Sequence, residues 1–417
     1  MTVLEARGRV GGRVHTLRGG FAAGQHAEGG GEYIDTGHRA MRGLARELGL
    51  ELEDVRVGTA NFDDVVYLHG RRTTQQKATT DGVGAEIDRV AAALDRLAEP
   101  LDLARPGAHG GVALDRRSVA DFFDELGVDP AARPFVDHAV RDDYNVEPEQ
   151  LSLLSYALDD KAAYNQPDSG VEAFRIRGGN DRLAMALRDR LGGRALHLHA
   201  PVTAIRQRSG RVTVVAGGER FRADRCVVAA PLPALRDVEF EPALPSAVAD
   251  AIRDLQYGTG VKTLLQYRSR FWRSQGFSGD TITDLPVNAT WEATDRQPGT
   301  PGILLCYGVG APGAAYGRLA PADRVDAARS DVDRIYPGSA ALFSKAATLA
   351  WQNEMYTGGA YTAYAPGQVT RFARALRFPI GRIQLAGEHT DARFPGYMEG
   401  AVRSGARVAR AIARLGG

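Results

Sequence analysis

The chain has 417 residues, 52 of them basic (Lys and Arg) and 51 acidic, for a net charge of +1, with 44% apolar residues. Near-neutral charge without blocks of like sign excludes a dedicated nucleic-acid surface, and the length excludes one simple core, so two interleaved domains are expected. No apolar run approaches the roughly 20 residues a membrane helix needs.

Residues 1–35 alternate short β-like runs (TVLEA, RVHTL, EYID) with glycine clusters at 11–12, 19–20 and 29–31. HRAMRGLARELGLELEDV follows as an amphipathic helix, with Met41, Leu44, Leu48 and Leu50 near helical spacing and Gly49 as its stop. Residues 84–105 and 118–160 also read as helical, and LDRRSVADFFDELGV carries a Ser start and a Gly end. FRIRGGNDRLAMALRDRL is a glycine turn opening a helix. A run of strands separated by turns then ends in the buried strand VVAAP. Strands VKTLLQYR and ILLCYGV and a helix around 321–336 make a second mixed segment. The tail RIQLAGEHTDARFPGYMEGAVRSGARVARAIARLGG runs strand, loop, helix.

Cys226 and Cys306 stand in apolar strand-like settings with no C-x-x-C, which predicts a reducing, cytoplasmic setting. His197 and His199 would share a strand face, but two His without a third ligand predict no metal site. The basic residues are almost all Arg, and the four lysines are Lys77, Lys161, Lys262 and Lys345.

VLEARGRVGGRVHT near one end and LAGEHTDARFPGYMEGAVRSGARVA near the other are jointly specific, and WQNEMYTGGAYTAYAPG lies between them. Together they resemble the flavin-containing amine oxidase family of monoamine, polyamine and L-amino-acid oxidases. The resemblance is strong over 2–50 and 345–415, fair over 170–272 and thin over 60–165. It implies an α/β, two-domain FAD-dependent oxidoreductase fold: a Rossmann-like FAD domain from 1–50, 170–240 and 350–417, and a substrate domain of mixed sheet and helices from 51–169 and 241–349. In dinucleotide-binding folds an acid like Glu5 stands about 20 residues after a G-x-G-x-x-G loop. No such loop precedes Glu5 in this sequence. The opening therefore reads as the second strand of such a unit lacking its first strand, loop and helix. A displaced start or a truncation is expected ahead of a remodelled flavoprotein, and FAD affinity is expected to be lower than in a full-length relative.

Carried onto this sequence, the resemblance gives Glu5 the adenosine ribose, with Arg7 beside it, and gives Gly11, Gly12 and Arg13 the pyrophosphate, which a guanidinium fork suits. Gly30, Gly31 and Glu32 fall where backbone passes the flavin, and Val202 where backbone meets adenine. Gly387, Glu388 and Met398 fall at its ribityl-phosphate and pyrimidine ends. Trp351 would pack behind the ring. Tyr361 and Tyr397 match two rings flanking the substrate amine, and Lys262 matches a lysine holding a water against flavin N5. Outside that context each has an ordinary reading: a strand-end Glu, core rings, a lysine snorkelling from its strand.

Ala360 replaces the cysteine through which some relatives attach flavin, so non-covalent FAD is expected. The implied chemistry is hydride transfer from a C–N bond to flavin N5 and reduction of O2 to H2O2, with a small amine or amino acid as substrate and a homodimer possible. An amino acid would need a cation such as Arg141, Arg175 or Arg177. A diamine would need an acid such as Asp142, Asp143, Asp159 or Asp160. The alternatives are a flavin desaturase or protoporphyrinogen-type oxidase, and a flavin-less relic serving as a binding or assembly subunit.

Overall fold

Two strands with every residue buried, Gly260–Tyr267 and Gly302–Val309, are interior neighbours in the largest sheet described in this computed structural model, which describes residues 1–58, 61–80, 82–164 and 172–415. Burial on both faces explains why VKTLLQY and ILLCYGV read as nearly unbroken apolar runs. The two strands are antiparallel, with Lys262 opposite Tyr307. The sheet has seven strands in the order Phe343–Ala350, Gly260–Tyr267, Gly302–Val309, Ala289–Glu292, Phe277–Thr283, Asp63–Leu68 and Arg71–Thr74.

Strand alternation divides this sheet's work. Val261, Leu265 and Tyr267 pack with Trp272, Tyr336 and the helix Pro321–Ile335. The intervening residues face the N-terminal segment. Leu264 packs with Phe21, Gln266 exchanges hydrogen bonds with the Ala22 backbone, and Lys262 donates to the Gly30 carbonyl. One strand face thereby fixes the loop of residues 21–30.

Two short parallel pairs lie elsewhere: Val3–Leu4 with Leu196–His197, and Cys226–Val228 with Ile383–Leu385. A four-stranded sheet runs Glu219–Ala223, Arg211–Ala216, Val202–Arg208, Glu239–Glu241. The helix Met398–Ala413 packs against Arg39–Glu47, and Glu399 accepts from the backbone N–H groups of Ala40 and Met41 at 3.1 and 2.7 Å. That carboxylate caps the second helix from outside.

The helical expectation over 118–160 resolves into pieces: Val119–Leu126, Arg133–Tyr144 and Leu153–Asp159, with a short 3₁₀ turn at Pro148–Gln150. Gly127 and Asn145 end the first two in the left-handed conformation, at φ 61° and 60°. The helix expected over 84–105 is Val83–Ala98, with Pro100 just beyond it. The strand VVAAP is less buried than expected: Val227 is 45% exposed, because alternation turns it to the face opposite Cys226 and Val228.

Glu292 ends the strand that carries Trp291, and its fully buried carboxylate accepts from Arg270 and Arg273 at 2.7 Å and from Trp272 Nε1 at 2.8 Å. Glu292→Gln leaves two arginines without their anion, a loss of about 3 kcal/mol. The expected outcome is a thermal unfolding midpoint several degrees lower, read by circular dichroism; an unchanged midpoint would show the cluster to be energetically neutral.

Candidate active site

Glu5 leaves its strand with its N–H on the His197 carbonyl at 2.9 Å, and its carboxylate accepts from the Arg7 backbone N–H at 2.7 Å. Ala200 N–H donates to the Glu5 carbonyl at 2.9 Å, which sets Val202 two residues beyond that contact. Arg7 reaches Thr357 Oγ1 at 2.7 Å and Glu354 at 3.4 Å. The turn after it needs glycine: Gly11 has φ +98°, with the Val14 carbonyl 2.5 Å from where a Cβ would stand. Gly12, at φ +56°, has open space there instead.

Arg13 crosses from this turn to the tail of the chain. Its Nη1 donates to Glu388 Oε1 at 2.8 Å and to the Ala360 carbonyl at 3.0 Å. Glu388 is buried and also accepts from Thr362 Oγ1 at 3.2 Å and from the Gly396 N–H at 2.6 Å. Burial works against both charges, but each outweighs that penalty for the other. The Arg13 pKa rises and the Glu388 pKa falls below its ordinary value. Gly387, at φ +122°, turns the chain into Glu388.

Gly30 and Gly31 lie beneath Arg13: Gly31 N–H donates to the Arg13 carbonyl at 3.0 Å, and a Cβ on Gly30 would come within 1.9 Å of that oxygen. Trp351 Nε1 donates to the Gly29 carbonyl at 2.8 Å, and Met398 Sδ lies 3.2 Å from the Cβ position of Gly31. Lys262 donates to the Gly30 carbonyl at 3.0 Å and to Glu32 Oε2 at 2.6 Å. Glu32 Oε1 accepts from Trp291 Nε1 at 3.0 Å and pairs with Arg175 at 2.7 Å.

The tyrosines meet on this side of the molecule. The Tyr361 ring lies 3.3 Å from the Cβ position of Gly396, the residue before Tyr397. Tyr361 OH donates to Asn145 Oδ1 at 3.0 Å, which also accepts from Tyr307 OH at 2.9 Å. Tyr397 OH and Tyr144 OH donate to Asp159 Oδ2 at 3.1 and 2.7 Å. Burial raises the Asp159 pKa to about 6 against those two hydrogen bonds.

Direct contacts thus join Arg13, Gly30, Gly31, Glu32, Lys262, Trp351, Glu388 and Met398, while Glu5 bonds the Arg7 backbone, Arg7 reaches Thr357, and Tyr361 meets Gly396 beside Tyr397; Val202 is linked to Glu5 only through the backbone at Ala200. No motif points to Asn145 or Trp291; Arg175 enters the sequence reading only as a candidate carboxylate cation and Asp159 only as one of four candidate acids for a diamine. His197 packs edge-on against Phe221 at 5.1 Å and His199 lies against Gly8. No group of three metal-ligating side chains occurs among the described residues, and no helix among them is long and apolar enough to cross a membrane.

The family model for flavin-containing amine oxidoreductases matches residues 1–413. The chain belongs to this family. It is 28% identical over 448 residues to the flavin-containing amine oxidase A of Bos taurus, covering 98% of this chain and 80% of the relative. Cyclohexylamine oxidase from Brevibacterium oxydans IH-35A superposes with a TM-score of 0.89 at 26% identity, covering 99% of this chain and 93% of the other. A putrescine oxidase gives 0.90 at 24% identity, covering 99% and 93%, and shows the shared fold alone. The protein is an oxidoreductase with the α/β fold of the FAD-dependent amine oxidases, and the family implies FAD. The residues present fit that group. Gly12 leaves open space, Nε and Nη2 of Arg13 have no protein acceptor among the described residues, and the helix Met398–Ala413 starts without a side-chain cap.

The Arg13–Glu388 pair sets a pH signature. The folded Glu388 pKa lies below the unfolded value of about 4.3, so its stabilisation is complete above that value and is lost as pH falls through the folded pKa. Glu388→Gln lacks this term. The gap in thermal midpoint between parent and variant is expected to narrow from pH 6 to pH 3; a constant gap would show that the pair does not carry this linkage.

Proposed function

We propose that the protein oxidises the C–N bond of a primary amine, using non-covalent FAD and O2. The observation that carries this reading is the tyrosine pair, Tyr361 and Tyr397, held together at Gly396 with both hydroxyls tied to Asn145 and Asp159. With the hydroxyls anchored, the rings are what a substrate meets, and ring faces favour the positive charge that develops on an amine as hydride leaves. Bound FAD would supply the two-electron acceptor for the C–N bond, and with two protons those electrons would reduce O2 to H2O2.

The chain's own groups bind and orient. Glu5 and Arg7 are proposed to serve the ribose end, with Val202 at the adenine; Gly11, Gly12 and Arg13 serve the pyrophosphate. Gly387, Glu388 and Met398 would line the ribityl and pyrimidine side, Gly30, Gly31 and Trp351 the ring, and Lys262 keeps an N–H for a water beside it. In this reading the FAD half draws on 1–50, 170–240 and 350–417 and the substrate half on 51–169 and 241–349. Two unpaired thiols support a reducing, cytoplasmic setting.

Charge pairing favours an amine over an amino acid. Arg141 is 2.6 Å from Glu147, Arg175 pairs with Glu32 and Asp295, and Arg177 pairs with Glu51 and Glu53. A substrate carboxylate would have to displace one of these anions. Of the acids, Asp159 is the one bonded to Tyr397.

A screen of amines and amino acids with FAD-loaded protein tests this: peroxide is expected with primary amines and not with amino acids. Absence of peroxide with every amine would overturn the activity, and turnover of amino acids alone would overturn the substrate class. Ala360 is buried and has no thiol to bond flavin. Acid precipitation is therefore expected to leave the yellow colour in the supernatant; colour retained in the pellet would refute non-covalent binding.

A further inference from the structure

Lys262 sits in a strand with all eight residues buried, so its ammonium needs partners inside the protein. Its donors reach Glu32 Oε2 at 2.6 Å and the Gly30 carbonyl at 3.0 Å, and the rings of Trp291 and Tyr307 lie 5.3 and 5.6 Å away. The third N–H has no protein acceptor among the described residues. Glu32 is buried too, and its other oxygen is held by Trp291 and Arg175.

We infer that Glu32 is a positioning residue for the O2 half of the reaction: as counter-ion it keeps Lys262 charged and aimed along the Gly30 backbone. The inference rests on the proposed placement of Lys262 beside the flavin. In that half-reaction two electrons and two protons pass to O2, the O–O bond is kept, and H2O2 leaves. A fixed cation speeds it by stabilising negative charge as it develops on oxygen.

The other charges facing Lys262 do not replace Glu32. Burial lifts Glu28 to about 7 and Asp142 to about 6, so neither is a dependable anion near neutrality. Arg175 is a second cation, itself paired with Glu32 and Asp295, and Tyr307 is neutral there, its pKa raised by burial. For Glu32, burial is outweighed by Lys262 and Arg175, and its pKa stays low. Without this anion two cations face each other in the interior. A cavity of about 20 Å³ behind Glu32, room for one water, moderates the penalty without supplying a charge.

With four lysines in the chain, each can be followed by NMR after ¹³Cε-lysine labelling, with Lys262→Met identifying the signal. In Glu32→Gln the Lys262 ammonium is expected to lose its proton at a pH lower by about one unit or more, a tenfold change in that equilibrium. Glu32→Asp, which withdraws the carboxylate by one methylene, should fall between and serves if the Gln variant does not fold. In stopped-flow work on the FAD-loaded enzyme, reoxidation by O2 should slow more steeply with rising pH in Glu32→Gln than in the parent. Reduction by amine should stay within about twofold. Unchanged Lys262 titration in both variants would overturn the ion-pair role. A shifted titration with O2 reactivity insensitive to Lys262→Met would overturn instead the placement of Lys262 at the flavin, and with it the role of Glu32 in the O2 step.

Discussion

One ion pair ties the two ends of the sequence into one site. Arg13 and Glu388 lie 375 residues apart and meet at 2.8 Å, with the carboxylate almost wholly buried. A buried charge without its partner costs several kcal/mol, so neither end can shift without the other. The same two side chains hold the Ala360 carbonyl, the Thr362 hydroxyl and the Gly396 N–H. Those contacts bracket Tyr361 and Tyr397. The pair that anchors the Gly11–Gly12 turn on one side therefore sets the spacing of the aromatic rings on the other.

A second constraint comes from the sheet. Period-two alternation puts Lys262, Leu264 and Gln266 on one face of a buried strand, and each meets the N-terminal segment differently: by charge, packing and amide hydrogen bonds. Glycine makes the approach close enough. Gly30 stands against the Arg13 carbonyl with no room for a methyl group, so the Lys262 ammonium and the Arg13 backbone are held within one loop's thickness. The site is thus built by backbone contact, with side-chain charges paired around it.

The sequence revealed the parts of this arrangement that depend on local rules. The turn R-V-G-G-R needed positive φ at Gly11 and Gly12, and has it. The tail was legible as strand, loop and helix because Ile383 and Leu385 bound a short, fully buried strand and Met398–Ala413 has a clear apolar stripe. The region 118–160 was less legible, since left-handed Asn145 leaves no helical-period signature yet breaks the helix and bonds Tyr361. Arg175 meets Tyr33 across 142 residues, Asp159 meets Tyr397 across 238 and Trp291 meets Glu32 across 259, separations that no local pattern reveals. One signal was available: a lysine in an otherwise buried strand requires a nearby anion, and Glu28 and Glu32 flank the glycine turn 29–31 already placed at the site.

The paired charges also bear on how an amine can occupy the site. Free alkylamines are cations near neutral pH, whereas hydride loss needs the neutral form. Asp159 is bonded to Tyr397, has a second buried oxygen with no partner, and has a pKa of about 6. A carboxylate in that state attracts an incoming ammonium without the permanence of the Glu32 or Glu388 anions, which are already neutralised by Lys262 and Arg13. In the proposed reading, attraction at the tyrosines and neutrality nearer Lys262 are compatible, because Glu32 and Glu388 are paired with cations while Asp159 is held by tyrosine hydroxyls alone and its charge is weakened by burial.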